Sequence, residues 1–307
     1  MDALKSFYDE YFKYLPNKFD VAYILHANSG EAYCFLAYLA KACLKKDGAE
    51  NPLFVATKLY HKDIIDMFFP KANYVYYNIY LREPRLNLLG DIHQYNEQKF
   101  RVIFSKRHFS SVNSNLGKIH YFDAMLDTLD IDRKDVSKPT PKITKKTQTD
   151  VIRIAEQLNL DLENFVILSP EAATAELMPI SFWEKLVTTL RNKGYDIFLN
   201  AMNPIDLKCK QKQLTYKEIF ALSKMSKGII SLKSGLSEFL LPTGIKQIVL
   251  AKKFFWSPVL TTRQCIDAYS IIKLPFVDTN KVFELNTDFY PSEKELANKI
   301  ISLLEND

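Results

Sequence analysis

Short apolar runs alternate with helical stretches along almost the whole of this 307-residue chain, and that alternation limits its fold more than any other feature. Residues 21–25 form an apolar run, Ala27-Asn28-Ser29-Gly30 turns, and 31–45 has helical periodicity with Tyr33, Leu36, Ala37, Ala40 and Leu44 on one face. Residues 52–57, 73–79 and 101–105 predict three further strands, with helices over 61–69 and 119–129. Between them, 82–99 reads as a long polar connection, a length unusual in compact domains. Two prolines and several lysines make 133–146 the best linker candidate. The second half repeats the pattern, with strands at 165–169, 196–200, 228–232 and 246–250 and a helix over 150–158. Ser181 with Glu184, Thr215 with Glu218 and Ser292 with Glu295 have the form of capping boxes opening three more helices. Such alternation implies parallel sheets covered by helices, here as two Rossmann-like domains, 1–135 and 136–307, with a cleft between them. Ligands in open parallel sheets bind beyond the carboxyl ends of the strands.

The chain has only 8 glycines, and none are spaced as a dinucleotide-binding fingerprint or a phosphate-cradling P-loop. A phosphate site must therefore use one glycine and a helix N-terminus. The net charge of +5 suits an anionic ligand or a membrane surface and is too weak to argue for nucleic acid. Cys34, Cys43, Cys209 and Cys265 form no C-x-x-C and no zinc spacing with the five histidines, so free thiols in a reducing compartment are expected. Residues 1–19 carry acidic groups and no continuous apolar core, so no signal peptide is expected. No run approaches the ~18 apolar residues of a spanning helix, and the expectation is a soluble, cytoplasmic protein.

Three strand exits carry the chemistry. Residues 229–238 read Ile-Ile-Ser-Leu-Lys-Ser-Gly-Leu-Ser-Glu, a strand passing through one Ser-Gly into a helix whose first N–H groups can grip a phosphate. Gly235 allows close backbone approach, Ser234 and Ser237 add hydroxyls, Lys233 adds charge, and Glu238 can accept from ribose or sugar hydroxyls. An ordinary capped junction with Glu238 balancing the helix dipole has the same spacing. At the first strand exit, His26-Ala27-Asn28-Ser29-Gly30-Glu31 puts a carboxylate where a general base can stand, although a first-turn glutamate is common and His26 fits equally as a buried strand-end residue. Residues 169–179, Ser-Pro-Glu-Ala-Ala-Thr-Ala-Glu-Leu-Met-Pro, can line a pocket or form a plain loop. Lys106-Arg107-His108 follows the fourth strand, as a contact for an anionic acceptor or as a solvated basic turn. Asp130-Ile131-Asp132 has the D-x-D form of metal-dependent sugar transferases, but at a helix end.

In order and spacing these segments resemble glycosyltransferase family 9, the bacterial lipopolysaccharide heptosyltransferases, over most of the chain. That family's first strand leads into Gly-Asp, matched here by Gly30-Glu31. Its second half opens with a Pro-Gly-Ala loop, matched by Ser169-Pro170-Glu171-Ala172, and then a basic residue before Trp-Pro. Here Glu176 and Met178-Pro179 stand in that stretch with no Lys or Arg, leaving Thr174 as the polar substitute. Its donor loop is Asp-Ser-Gly with a histidine three residues on, where this chain has Lys233-Ser234-Gly235 and Glu238.

The resemblance implies an α/β protein of GT-B fold, with two Rossmann-like domains whose parallel sheets face a central cleft, the last helix packing back on the first domain. It implies an inverting, metal-independent glycosyltransferase needing no cofactor, with Glu31 as catalytic base. The acceptor side would comprise His26, Asn28, Ser29, Gly30, Lys106, Arg107 and His108. The nucleotide-sugar side would comprise Lys233, Ser234, Gly235, Ser237, Glu238, Ser169, Glu171, Thr174 and Asn200. The acceptor would be a bacterial surface glycan or glycolipid (capsule, lipooligosaccharide or O-chain), with peripheral contact at the cytoplasmic face of the inner membrane and no nucleic acid. A nucleotide-sugar epimerase of the same architecture and a non-catalytic binding protein are the other two classes.

Overall fold

The computed structural model describes residue 15 and residues 18–77, 91–95, 98–173, 175–255 and 259–306, with residues 95 and 104–109 described by their backbone alone. The chain divides into two compact units, Met1–Asn115 with Tyr121–Lys142, and Leu116–His120 with Ile143–Asp307.

The first unit holds a five-stranded sheet in the order β3-β2-β1-β5-β4, with β1 Val21–His26, β2 Leu53–Ala56, β3 Asn73–Tyr76, β4 Ile92–Tyr95 and β5 Gln98–Phe104. β1 lies between β2 and β5, parallel to both. Residues 21–25 of it are hydrophobic and buried on both faces, the signature of a strand covered on two sides. β4 runs antiparallel to β5, pairing Ile92 with Arg101 and Tyr95 with Gln98. The part of the expected connection 82–99 that lies within the described residues is therefore largely the arms of a hairpin. The periodic stretch after β1 is a helix Ser29–Cys34, a π-helical turn Phe35–Leu39 and a helix Ala40–Asp47. Arg101 of β5 grips Asp47 through Nε (3.0 Å) and Nη2 (2.6 Å), and the Tyr23 hydroxyl donates to the same carboxylate (2.8 Å). This pair is buried and ties the end of that helix to the middle of the sheet. The linker candidate stays with the first unit to Lys142, held by Ser137 N–H to Tyr38 O and Lys142 N–H to Met67 O. Asp130 follows the helix Tyr121–Leu129 and pairs with Lys46.

The second unit holds a six-stranded parallel sheet in the order β11-β10-β9-β6-β7-β8, with β6 Phe165–Ser169, β7 Asp196–Leu199, β8 Lys210–Gln211, β9 Gly228–Leu232, β10 Gln247–Ala251 and β11 Val282–Asn286. Phe182, Trp183 and Leu186 of the helix Ile180–Asn192, and Ile300 and Leu304 of the helix Glu293–Glu305, pack on Val166, Ile230, Ile248 and Leu250. The last helix thus builds part of the core of this unit. Caps at Thr215 and Ser292 form as expected, accepting from Glu218 N–H (3.3 Å) and Glu295 N–H (3.2 Å). The Ser181 cap does not form. Its helix already starts at Ile180 after Pro179, and the Ser181 hydroxyl donates to Glu293 instead. The helix expected over 150–158 begins at Lys145, capped by Thr144.

Candidate functional site

Strand order decides where each sheet can bind a ligand. In the first sheet the chain moves outward from β1 to β2 and β3 on one side and uses β5 and β4 on the other. In the second it moves from β6 to β7 and β8, then from β9 to β10 and β11 on the opposite side. The connections diverge between β1 and β5, and between β6 and β9, which opens a crevice beyond the carboxyl ends of those strands. The strand exits singled out in the sequence flank these two points.

In the first unit, Glu31 lies in the first turn of Ser29–Cys34, whose opening bond is Ala32 N–H to Asn28 O (2.9 Å). Gly30 is buried within that turn, Ser29 and His26 are half-buried, and Asn28 is exposed. Sequence reasoning assigned no role to Lys58, which follows β2 and completes this corner. Its ammonium donates to Asn28 Oδ1 (3.0 Å) and lies 5.7 Å from the centre of the Tyr60 ring. Burial pushes the Lys58 ammonium below its ordinary range, and the negative charge of Glu31 partly offsets this. The signal was available, since Lys58 directly follows a predicted strand, at the edge where ligands bind.

His61 braces the same corner. Its Nδ1 accepts from Thr57 N–H and Lys58 N–H (3.3 Å each). A ring nitrogen that accepts amide hydrogens carries none, so the proton sits on Nε2, which donates to Ala27 O (3.0 Å). Burial lowers the His61 pKa to about 3. The loop after β1 and the loop after β2 are thus fastened by a neutral imidazole. Lys106, Arg107 and His108 fall in the first turns of the helix Ser105–Ser114, beyond the end of β5. Their side chains lie outside the described residues.

In the second unit, Ser169 ends β6 in register with Ser231 of β9, and Ser234 and Gly235 follow. The helix Gly235–Phe239 has only five residues. Lys233 Nζ donates to Glu238 Oε1 at 2.7 Å, with the two side chains only 5% and 10% exposed. The two departures from the family's Asp-Ser-Gly and histidine pattern are therefore partners, with an acid and a base exchanged between the two positions. Ser237 is buried, accepts from Ser234 N–H (3.3 Å) and donates to Leu232 O (3.2 Å), so its hydroxyl closes the turn. Behind it, Glu284 accepts from Ser270 Oγ and from Ile271 N–H (3.0 Å). Burial raises its pKa, with the charge of Lys233 working against the rise.

Glu171 is half-buried. It accepts from Met202 N–H and from Asn203 N–H (3.3 Å) and Nδ2 (2.9 Å), holding the loop that leaves β7 through the half-buried Asn200. Thr174 lies outside the described residues. Among the described residues no three His, Cys, Asp or Glu side chains gather as a metal site. No helix among them is long and apolar enough to cross a membrane.

No family model and no curated protein matches the sequence. Solved structures match in shape. A glycosyl transferase family 9 protein from Veillonella parvula superposes with a TM-score of 0.56 at 11% identity, over 93% of this chain and 97% of that one. ADP-heptose lps heptosyltransferase II from E. coli gives a TM-score of 0.53 at 12% identity, over 93% and 98%. The chain has the fold of the family 9 glycosyl transferases. An iron-containing dodecameric glycosyltransferase from enterotoxigenic E. coli matches 76% of this chain and 60% of its own, with a TM-score of 0.51 at 13% identity. The α/β class and GT-B fold expected from the sequence are borne out.

Proposed function

We propose that the chain is an inverting glycosyltransferase that moves a sugar from a nucleotide-sugar to a bacterial surface glycan or glycolipid, in capsule, lipooligosaccharide or O-chain synthesis. One observation carries this reading: within a fold shared almost end to end with glycosyl transferases, Glu31 stands at the divergence point of the first sheet and interacts electrostatically with the Lys58 ammonium. Glu31 takes the proton of an acceptor hydroxyl as its oxygen attacks the anomeric carbon of the donor. The bond from that carbon to the diphosphate oxygen breaks, and the nucleoside diphosphate departs with the electron pair. Lys58 supports the charged state of Glu31 and, with Asn28, holds the acceptor side.

The donor belongs to the second unit, its diphosphate against Ser169, Ser234 and the backbone at Gly235. Lys233 and Glu238 form the base of that turn. Nothing in the scheme calls for a metal or another cofactor. The work would take place in the cytoplasm, with peripheral contact at the inner membrane where the acceptor is anchored.

A thermal-shift panel of ADP-, GDP-, UDP- and CMP-sugars finds the donor, because a ligand that binds only the folded state raises the melting temperature. Incubating that donor with candidate glycolipid acceptors, with and without EDTA, then tests transfer. An inverted anomeric configuration in a product formed in EDTA is the expected result. Conversion of the donor sugar without any acceptor would make the chain an epimerase.

A further inference from the structure

The resemblance to family 9 leaves the second unit without its basic residue, because Glu176 and Met178-Pro179 stand in the matching stretch with no Lys or Arg. The donor-loop lysine does not fill the gap, since Lys233 is buried against Glu238 at 2.7 Å. A diphosphate still needs a cation, and the structure offers one from the neighbouring strand.

β9 lies between β6 and β10. Beyond their carboxyl ends the chains leaving β6 and β10 pair with each other, Ala175 antiparallel to Phe254, with Glu176 N–H donating to Lys253 O (3.1 Å). Since β9 lies between those two strands, this bridge joins the loops that flank the exit of β9, where Ser234 and Gly235 stand. The bridge is anchored by buried groups. Ala175 is 1% exposed, Phe254 is 6% exposed, and the Phe254 ring packs edge-on to Tyr269 at 5.6 Å.

Lys252 leaves β10 just before this bridge. Leu250 is in register with Leu232, and Lys233 N–H donates to Leu250 O (2.9 Å), so Lys252 follows the last paired residues of β10 at the edge where β9 turns into Ser234. Its ammonium lies 3.7 Å from Glu176 Oε2, beyond ordinary hydrogen-bond length. Lys252 is 20% exposed and Glu176 is 47% exposed. The contact is therefore long and partly exposed where the Lys233–Glu238 contact is short and buried. The next lysine, Lys253, acts electrostatically on buried Cys265 instead.

We propose that Lys252 is the cation that binds the donor diphosphate, with Glu176 as its resting counter-ion, displaced by phosphate when the nucleotide-sugar enters. The proposal rests on the glycosyltransferase reading above and names the group that meets the donor there. It places the positive charge on the strand beside the Ser-Gly turn, not on the loop after β6.

Titration calorimetry of ADP, GDP, UDP and CDP with the full chain tests it. With the nucleoside diphosphate that binds, Lys252→Met should lose affinity roughly ten- to hundredfold, the worth of a hydrogen bond to a charged group. Lys252→Arg should retain most of it. Glu176→Gln should bind more tightly than the unaltered chain, because the competing carboxylate is gone. Opposite signs at the two positions distinguish a ligand-binding lysine from a merely structural ion pair, whose loss weakens binding from either side. Affinity of Lys252→Met within about twofold of the unaltered chain, or weaker binding by Glu176→Gln, overturns the proposal while leaving the glycosyltransferase reading in place. Melting curves without ligand show whether Lys252→Met folds; if it does not, Glu176→Gln and Lys252→Arg carry the test. Failure of the unaltered chain to bind any of the four nucleotides overturns the glycosyltransferase reading, and this proposal with it.

Discussion

Glu31 and Lys58 are separated in sequence by the helical stretch that ends at Asp47 and by β2, yet they act on each other electrostatically across the exits of β1 and β2. An opposite charge that interacts with a carboxyl group favours the carboxylate form a general base needs. Glu31→Gln should therefore keep donor binding and lose transfer by at least about a hundredfold, the lower range for general-base catalysis. Near-normal initial rates with full donor occupancy would remove Glu31 from its role. Lys58→Met should lower the rate less, and should move the acidic limb of the pH–rate profile to higher pH, because a base without its cation holds its proton more firmly. An unmoved limb would separate the two residues. His61 makes a prediction about stability. Its folded pKa of about 3 lies below the ordinary 6.5, so between those values the unfolded chain binds more protons. Its contribution is complete above pH 6.5 and is lost as pH falls, by about 1.4 kcal/mol per unit. Urea midpoints at pH 7 and pH 5 should fall more steeply for the unaltered chain than for His61→Gln, and equal slopes would contradict a neutral His61. The glutamate was legible in the sequence because it stands beside a glycine at a strand exit. Lys58 could be placed after a predicted strand, but its bond to Asn28, and that of His61 to Ala27, could not be read, because those partners come from another loop that only folding brings near.

The turn from β9 into Gly235–Phe239 shows what one element needs. Five helical residues supply little macrodipole, and the turn is held instead by the Lys233–Glu238 pair and the Ser237 hydroxyl. Removing one partner of a buried pair leaves a charge without compensation, at about 3–5 kcal/mol. Lys233→Met and Glu238→Gln should each lower the denaturant midpoint strongly, and the double variant should recover much of the loss. Additive losses would mean that the two side chains do not act as a unit. A second element-scale constraint is Gly228, where an added Cβ would lie 3.0 Å from Lys246 O and 2.9 Å from Leu304 Cδ1. The leucine can turn away but the backbone oxygen cannot, so Gly228→Ala should cost about 1–3 kcal/mol in a urea melt, and a cost near zero would show that β10 shifts to make room. Most elements were legible, because parallel strands buried on both faces read as continuous apolar runs. The β4–β5 hairpin was not: Ile92–Tyr95 has no apolar run, and its place is set by pairing with Gln98–Arg101. The Ser181 box had the right letters, but Pro179 and a distant Glu293 decided the geometry.

At the scale of the whole molecule, the alternation of strands and helices predicted parallel sheets, but not the order in which the strands lie. Order is set by long-range pairing, and it is order that puts the divergence points at β1–β5 and β6–β9. The proposed division of labour follows from those points and can be tested without knowing the acceptor. A nucleoside diphosphate alone should slow amide exchange in the second unit, at residues 169–173 and 175–176, 231–237 and 251–254, where the exits of β6, β9 and β10 meet. At a concentration of 100 times Kd a single-site ligand adds about 2.7 kcal/mol to the folded state it binds. If the two units open independently, that gain should reach the most protected amides of β6, β9 and β10 and bypass those of β1 and β2. If they open together, it should appear in both cores, while direct protection at the strand exits stays in the second unit. Either pattern is consistent with the donor side lying there, because local slowing at the exits, not the spread of global protection, reports contact. Slowing concentrated at residues 26–31 and 57–61 instead would put the nucleotide on the Glu31 side and reverse the assignment of the two halves.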